Sequence, residues 1–154
     1  MLHTYIRSGG LIATALILYF LMMKLLGLHE YPALSAFNGL IFAWGIYRVM
    51  RQQKQQSNTF NYGQVWQAGF FSGAAATLFF TVFMAFYMYQ INSDFANNVL
   101  SNWGIAYNNG VVTMLISIVL MGLGSAVVLA LTFMQRLKEP AFPGKASTPT
   151  RTNE

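Results

Sequence analysis

Lys24, His29, Glu30 and Asp94 come closest in this chain to a group of side chains with chemistry. An ammonium, an imidazole and two carboxylates gathered in one place could pass a proton, pair as ions or recognise a small polar ligand. The simpler reading is a solvated rim of helix ends with an exposed Glu30 to Lys24 pair. The sharper one is an outer rim that recognises a ligand or another protein. His3 and His29 stand far apart and the chain has no cysteine, so neither a metal centre nor a thiol nucleophile is expected. HExxH, the phosphate-binding Gly-Lys-Ser/Thr loop and GxSxG are all absent from the sequence. No nucleophile stands at a recognisable spacing from a base, so no catalytic residue or cofactor is expected and the protein reads as a non-enzyme.

A second set is basic. Arg48, Arg51 and Lys54 follow one another in YRVMRQQKQQSN, and Arg136 and Lys138 lie near the C-terminus. They could hold lipid headgroups, each contributing on the order of 1 kcal/mol beside an anionic surface. The formal charge of +5 does not call for nucleic acid, because the cations sit in short clusters beside apolar runs, where they orient insertion. A third set is neutral: Asn38, Ser72, Thr77, Thr113 and Ser117 are polar groups inside apolar runs. Converging on one water-accessible path, they would make a small channel or transporter for a neutral or weakly polar solute. Asn38 alone reads as an interhelical hydrogen-bond partner.

The elements that must position these residues are apolar. The chain is 55% hydrophobic and 8% charged, too few charges to clothe a water-soluble fold of 154 residues. Gln64 to Ile91 carries no charge and is long enough to cross a hydrocarbon core of about 30 Å. Gly69, Gly73, Thr77, Thr81 and Ala85 recur along it every four residues, a ribbon on which another helix can approach closely, so this helix is expected to be the hub. Further spans are expected at 9–28, 32–50 and 111–134, with small faces at Ser35, Gly39 and Ala43 and at Gly122, Ala126 and Ala130. Lys24 is expected to snorkel to the interface. Gly27 and Pro32 bracket a tight turn, and Asn61 with Gln64 resembles a capping box at the start of the hub.

Between the third and fourth spans, Phe95, Val99, Leu100, Trp103, Ala106 and Tyr107 share one side at helical period, opposite Asn97, Asn98, Ser101 and Asn102. With Asp94 as cap, residues 94–107 would be a short interfacial helix, or else an ordered loop resting on the other helices. After residue 138 the Pro, Thr and Ser-rich tail 139–154 is expected to be disordered and cytoplasmic.

The succession of a basic loop, TFNYGQVWQAGFFSG and a long apolar helix ending in YMYQINSDFANN resembles the four-helix membrane proteins of the domain-of-unknown-function 4199 family (DUF4199). The resemblance rests on Phe60, Gly63, Gln64, Gly69, Tyr87, Tyr89 and Asp94, and the hydropathy layout extends it over nearly the whole chain. It implies an integral membrane protein of unassigned activity, and it carries over no catalytic residue.

The expected fold is therefore all-α: a polytopic membrane protein with four transmembrane helices in a bundle over residues 1–138 and both termini cytoplasmic. That orientation places every Lys and Arg except Lys24 on the inner side. The expected location is the inner membrane, multi-pass. The middles of all four spans lack Asp, Glu, Lys, Arg and His, which argues against a buried proton relay. The expected role is a structural or interaction component whose partners are the lipid bilayer and a second copy or another membrane protein. Helix packing would run through Gly39, Gly69, Gly73, Thr77, Gly122 and Ala126.

Overall fold

The computed structural model describes residues 2–27, 32–56, 61–91, 94–102 and 109–137. In chain order the elements are α1 (Leu2–Leu25), α2 (Pro32–Gln56), α3 (Tyr62–Phe86), a π-helical segment (Tyr87–Ile91), α4 (Phe95–Asn102) and α5 (Gly110–Leu137). No strand occurs among the described residues, so the fold is all-α.

Local chemistry accounts for the ends. Gly27 has φ of 68°, a left-handed conformation that closes α1, and its N–H donates to the Lys24 carbonyl at 3.0 Å. Pro32 opens α2, where its missing N–H costs nothing. The Asn61 side-chain oxygen accepts from the N–H groups of Gly63, at 3.0 Å, and Gln64, at 3.4 Å, which caps α3 as its spacing implied. Arg48, Arg51 and Lys54 lie on helix rather than in the expected loop, because α2 continues to Gln56. The segment lacks Gly and Pro and is built of good helix formers, while Ile46 and Met50 extend a buried face toward it. Lys54 then reaches across and donates from Nζ to the Leu137 carbonyl at 3.0 Å, satisfying one of the orphan acceptors at the end of α5.

α3 packs against α1, α2 and α5. Against α5 the contact is an antiparallel zipper of small groups. A Cβ placed on Gly69 would lie 3.3 Å from the Ala130 Cβ, one on Gly73 would lie 2.7 Å from the Ala126 Cβ, and one on Gly122 would lie 2.5 Å from the Thr77 methyl. Each step of four up α3 is matched by four down α5, so the two backbones approach over their inner halves. On the other side of the same ribbon α2 lays down large side chains: Met50 over Gly69, and Ile46 and Phe42 over Gly73. α1 runs parallel to α3, with Gly9 at Ala75 and Ser72 near one end and Phe20 against Phe83 and Tyr87 near the other. The main core joins Ile12, Leu16, Phe42, Ile46, Met50, Val65, Ala126 and Ala130.

What this core leaves outside is apolar. Leu11, Leu18, Leu25, Leu40, Trp44, Val82, Leu120 and Val128 are among the large hydrophobic side chains that stand more than half exposed. A face of that composition is stable against hydrocarbon, not water. Three helices, α1, α3 with its π segment, and α5, are long and apolar enough to cross a membrane. α2 is not among them; its last two turns carry Arg51, Lys54 and four glutamines.

Candidate functional site

The polar and aromatic residues sort to two ends. At one end stand Arg7, Arg48, Arg51, Lys54 and Arg136; at the other stand Lys24, the π segment, Asp94 and α4, because α1 and α3 run one way and α2 and α5 the other.

The Asp94 end is built around Tyr87. α3 narrows its register there: the Tyr87 N–H is shared between the Phe83 and Met84 carbonyls, and the helix then widens into the π turn. A widened turn lets consecutive residues share the inner face, and Tyr87 and Met88 are both fully buried while Tyr89, Gln90 and Ile91 are exposed. Three rings surround Tyr87. Phe20 of α1 meets it edge-on at 5.1 Å, Phe95 of α4 edge-on at 5.5 Å, and Phe83 lies near-parallel at 6.5 Å. Edge-to-face pairs of this kind each add about 0.5–1.5 kcal/mol beyond simple packing. Over the Tyr87 face sits the Lys24 Nζ, 4.6 Å from the ring centroid. Partly buried near the end of α1, the Lys24 ammonium thus has a partner within the protein, an electron-rich ring worth up to about 2 kcal/mol to a desolvated cation. The Tyr87 hydroxyl is buried without a hydrogen-bond partner among the described residues.

α4 completes this end. Phe95, Ala96, Val99 and Leu100 are buried and Asn97, Asn98 and Ser101 exposed, the division read from the sequence. Its apolar face lies on Phe20, Met84, Tyr87 and Met88 rather than in lipid, so it is a helix and it rests on the protein. Asp94 is exposed, and its carbonyl accepts from the Asn98 N–H at 2.9 Å to start the helix. Of the proposed outer rim, Lys24 and Asp94 are placed at this end, while His29 and Glu30 lie outside the described residues. The second half of the expected interfacial segment, 103–108, also lies outside them. The signal for the Lys24 site was in the sequence only as spacing: Phe20 and Lys24 share a helix face, four residues apart, opposite a Phe83 and Tyr87 pair with the same spacing.

Elsewhere, Gly69, Gly73, Thr77, Gly122 and Ala126 meet in the α3–α5 zipper, whereas Gly39 does not join them: a Cβ there would have no neighbour within 4 Å. Two of the five neutral polar side chains are engaged within their own helices. Thr77 Oγ1 donates to the Gly73 carbonyl at 3.0 Å and Ser117 Oγ to the Thr113 carbonyl at 2.8 Å. The Asn38 amide oxygen and the Ser72 hydroxyl are buried without a partner among the described residues, so the interhelical bond expected of Asn38 is not among the contacts present. The interior hydroxyls of Thr77 and Thr81 are already donated to their own helix. No group of three or more His, Asp or Glu side chains that could hold a metal occurs among the described residues.

No curated protein and no solved structure matches the chain. A family model does, described as "Protein of unknown function (DUF4199)", over residues 7–103. The match takes in α1 from Arg7 onward, the whole of α2, α3 and the π segment, and α4, and it includes Gly63, Gln64, Gly69, Tyr87 and Asp94. With more than half of its length covered, and with apolar helices of membrane-crossing size, this chain belongs to the DUF4199 family of proteins of unknown function.

Proposed function

We propose that the protein is a four-crossing component of the inner membrane, with both termini in the cytoplasm, that acts by packing against a second copy of itself or another membrane protein rather than by catalysis. The fourth crossing is α2. Its first half is apolar, it runs antiparallel to α1 and α3 through the same core, and Phe42, Ile46 and Met50 sit at the depth of the small-residue ribbon. The orientation is supported by the gathering of Arg7, Arg48, Arg51, Lys54 and Arg136 at one end, with Lys24 alone among the described cations at the other.

The observation that carries the interaction role is the state of α5. Its small residues Gly122, Ala126 and Ala130 are consumed by α3, yet only 11% of its most apolar stretch is buried, against 28% for α1 and 33% for α3. Leu120, Met121, Gly124, Ser125 and Val128 remain exposed, and a Cβ on Gly124 would meet nothing within 4 Å. A broad face with a glycine in its middle admits a close-packed helix. The chain contains no cysteine, so single substitutions give an unambiguous test. Leu120→Cys, Gly124→Cys or Val128→Cys in native membranes, treated with a mild oxidant or a short thiol cross-linker, is expected to yield a species of twice the mass or a discrete heavier adduct. Ala126→Cys, whose side chain is buried, is expected to yield none. Monomer alone at all three exposed positions contradicts the interaction role.

A further inference from the structure

We infer that the outer face of α2 is a binding site for an anionic phospholipid, with the phosphate held between Arg48 and Arg51 and the acyl chains lying along Leu40 and Phe37. This rests on the reading that α2 crosses the bilayer with its basic end at the cytoplasmic leaflet. Phe37, Leu40, Trp44, Arg48 and Arg51 follow one another at steps of three, four, four and three residues, which keeps them on one helix face, and all are exposed. Phe37 is 51% exposed, Leu40 65% and Trp44 62%, so the stripe is open along its length. It passes from aliphatic and aromatic carbon, through one indole, to two guanidinium groups, which is the order of acyl chain, glycerol and phosphate in one lipid leaflet.

The Arg48 guanidinium lies over the Trp44 ring, 5.5 Å from its centroid. Leaning back on Trp44 keeps the charge close to the apolar part of the stripe, eight residues or about 12 Å of helix before Gln56, rather than out in water. A cation held there needs an anion. The only described carboxylate, Asp94, is at the opposite end of the molecule. Lys54 is not part of the site, because its amine is bound to the Leu137 carbonyl on the inner side of the helix. Two arginines set one turn apart give a planar fork that matches phosphate oxygens, and together they favour a headgroup of net negative charge over a zwitterionic one.

Trp44 provides its own reporter. In the full-length chain with Trp66→Phe and Trp103→Phe, Trp44 is the remaining tryptophan, and bromine on lipid acyl chains quenches it at contact. The chain is reconstituted in phosphatidylcholine vesicles containing increasing, matched fractions of brominated phosphatidylglycerol or brominated phosphatidylcholine. Quenching by the anionic lipid is expected to reach half its maximum at roughly tenfold lower fraction than quenching by the neutral one. Arg48→Gln with Arg51→Gln removes that difference, and Arg48→Lys with Arg51→Lys, which keeps both charges, retains most of it. Equal quenching by the two lipids overturns the site while leaving α2 in the bilayer. Quenching by neither also overturns it, and then Trp44 is either covered by another copy or outside the membrane, two cases that a topology reporter in residues 57–60 separates.

Discussion

Replacing Gly9 with leucine is expected to destabilise the fold by about 3 kcal/mol, near the top of the range for overpacking, whereas the same replacement at the adjacent Gly10 leaves stability within about 0.5 kcal/mol. A Cβ on Gly9 would stand 2.6 Å from the Ala75 Cβ, 2.8 Å from the Ser72 carbonyl oxygen and 3.1 Å from the Ala76 nitrogen. Those atoms belong to the backbone of α3 or are fixed to it, so no rotamer change relieves the clash and the whole of α1 must move. On Gly10 a Cβ meets nothing within 4 Å, and losing a helical glycine even gains a little helix propensity. Thermal unfolding in mild detergent should separate the neighbours clearly. Equal behaviour would mean that α1 does not pack on α3 at this point. Gly73→Leu, blocked by the Ala126 Cβ at 2.7 Å, is expected to resemble Gly9→Leu, and Gly39→Leu to resemble Gly10→Leu.

The second large effect is expected at Phe20. Its ring is held edge-on by Phe83 at 6.1 Å, Tyr87 at 5.1 Å and Phe95 at 5.8 Å, and it is only 7% exposed. Phe20→Ala removes the ring that ties α1 to both α3 and α4. In lipid the water-transfer part of the usual cost is absent, but the lost ring contacts alone come to about 2 kcal/mol. The weakest element should yield first. α4 has eight residues and docks through Phe95, Ala96, Val99 and Leu100, so the loss is expected as undocking of α4 rather than collapse of the long helices. A cysteine at Val99, 7% exposed, should then react with a maleimide roughly thirtyfold faster in the Phe20→Ala background, while one at the exposed Asn98 is unaffected. Unchanged protection of Val99 would show that α4 is held by other contacts.

How far these features could be read from residues alone depended on whether the signal was local or tertiary. The small ribbon of α3, the left-handed turn at Gly27, the Asn61 cap and the sided pattern of α4 are set by neighbours three or four positions away, and each was legible. The partner of Lys24 was not. A lone lysine one turn from a helix end reads as snorkelling, and only the parallel placement of α1 beside α3 brings the Tyr87 ring under it. The length of α2, which runs to Gln56 and not to residue 50, is hidden for a related reason. The polarity of RQQKQQ suggests a loop, although those residues are good helix formers, and the reach of Lys54 to Leu137 depends on a helix more than eighty residues away. Gly39 shows the opposite failure, since a small residue at the right spacing ended on an open face. The π turn at Tyr87–Ile91 left no mark in composition at all.

The claim on which most depends is that α2 crosses the bilayer, because it sets both the number of crossings and the side on which the arginines lie. Paired fusions of a cytoplasm-only fluorescent protein and a periplasm-only phosphatase, placed within 28–31, within 57–60 and after Glu154, test it directly. Fluorescence is expected at 57–60 and after Glu154, with phosphatase activity at 28–31 alone. Phosphatase activity after Glu154, or the same reporter active at both 28–31 and 57–60, would contradict it.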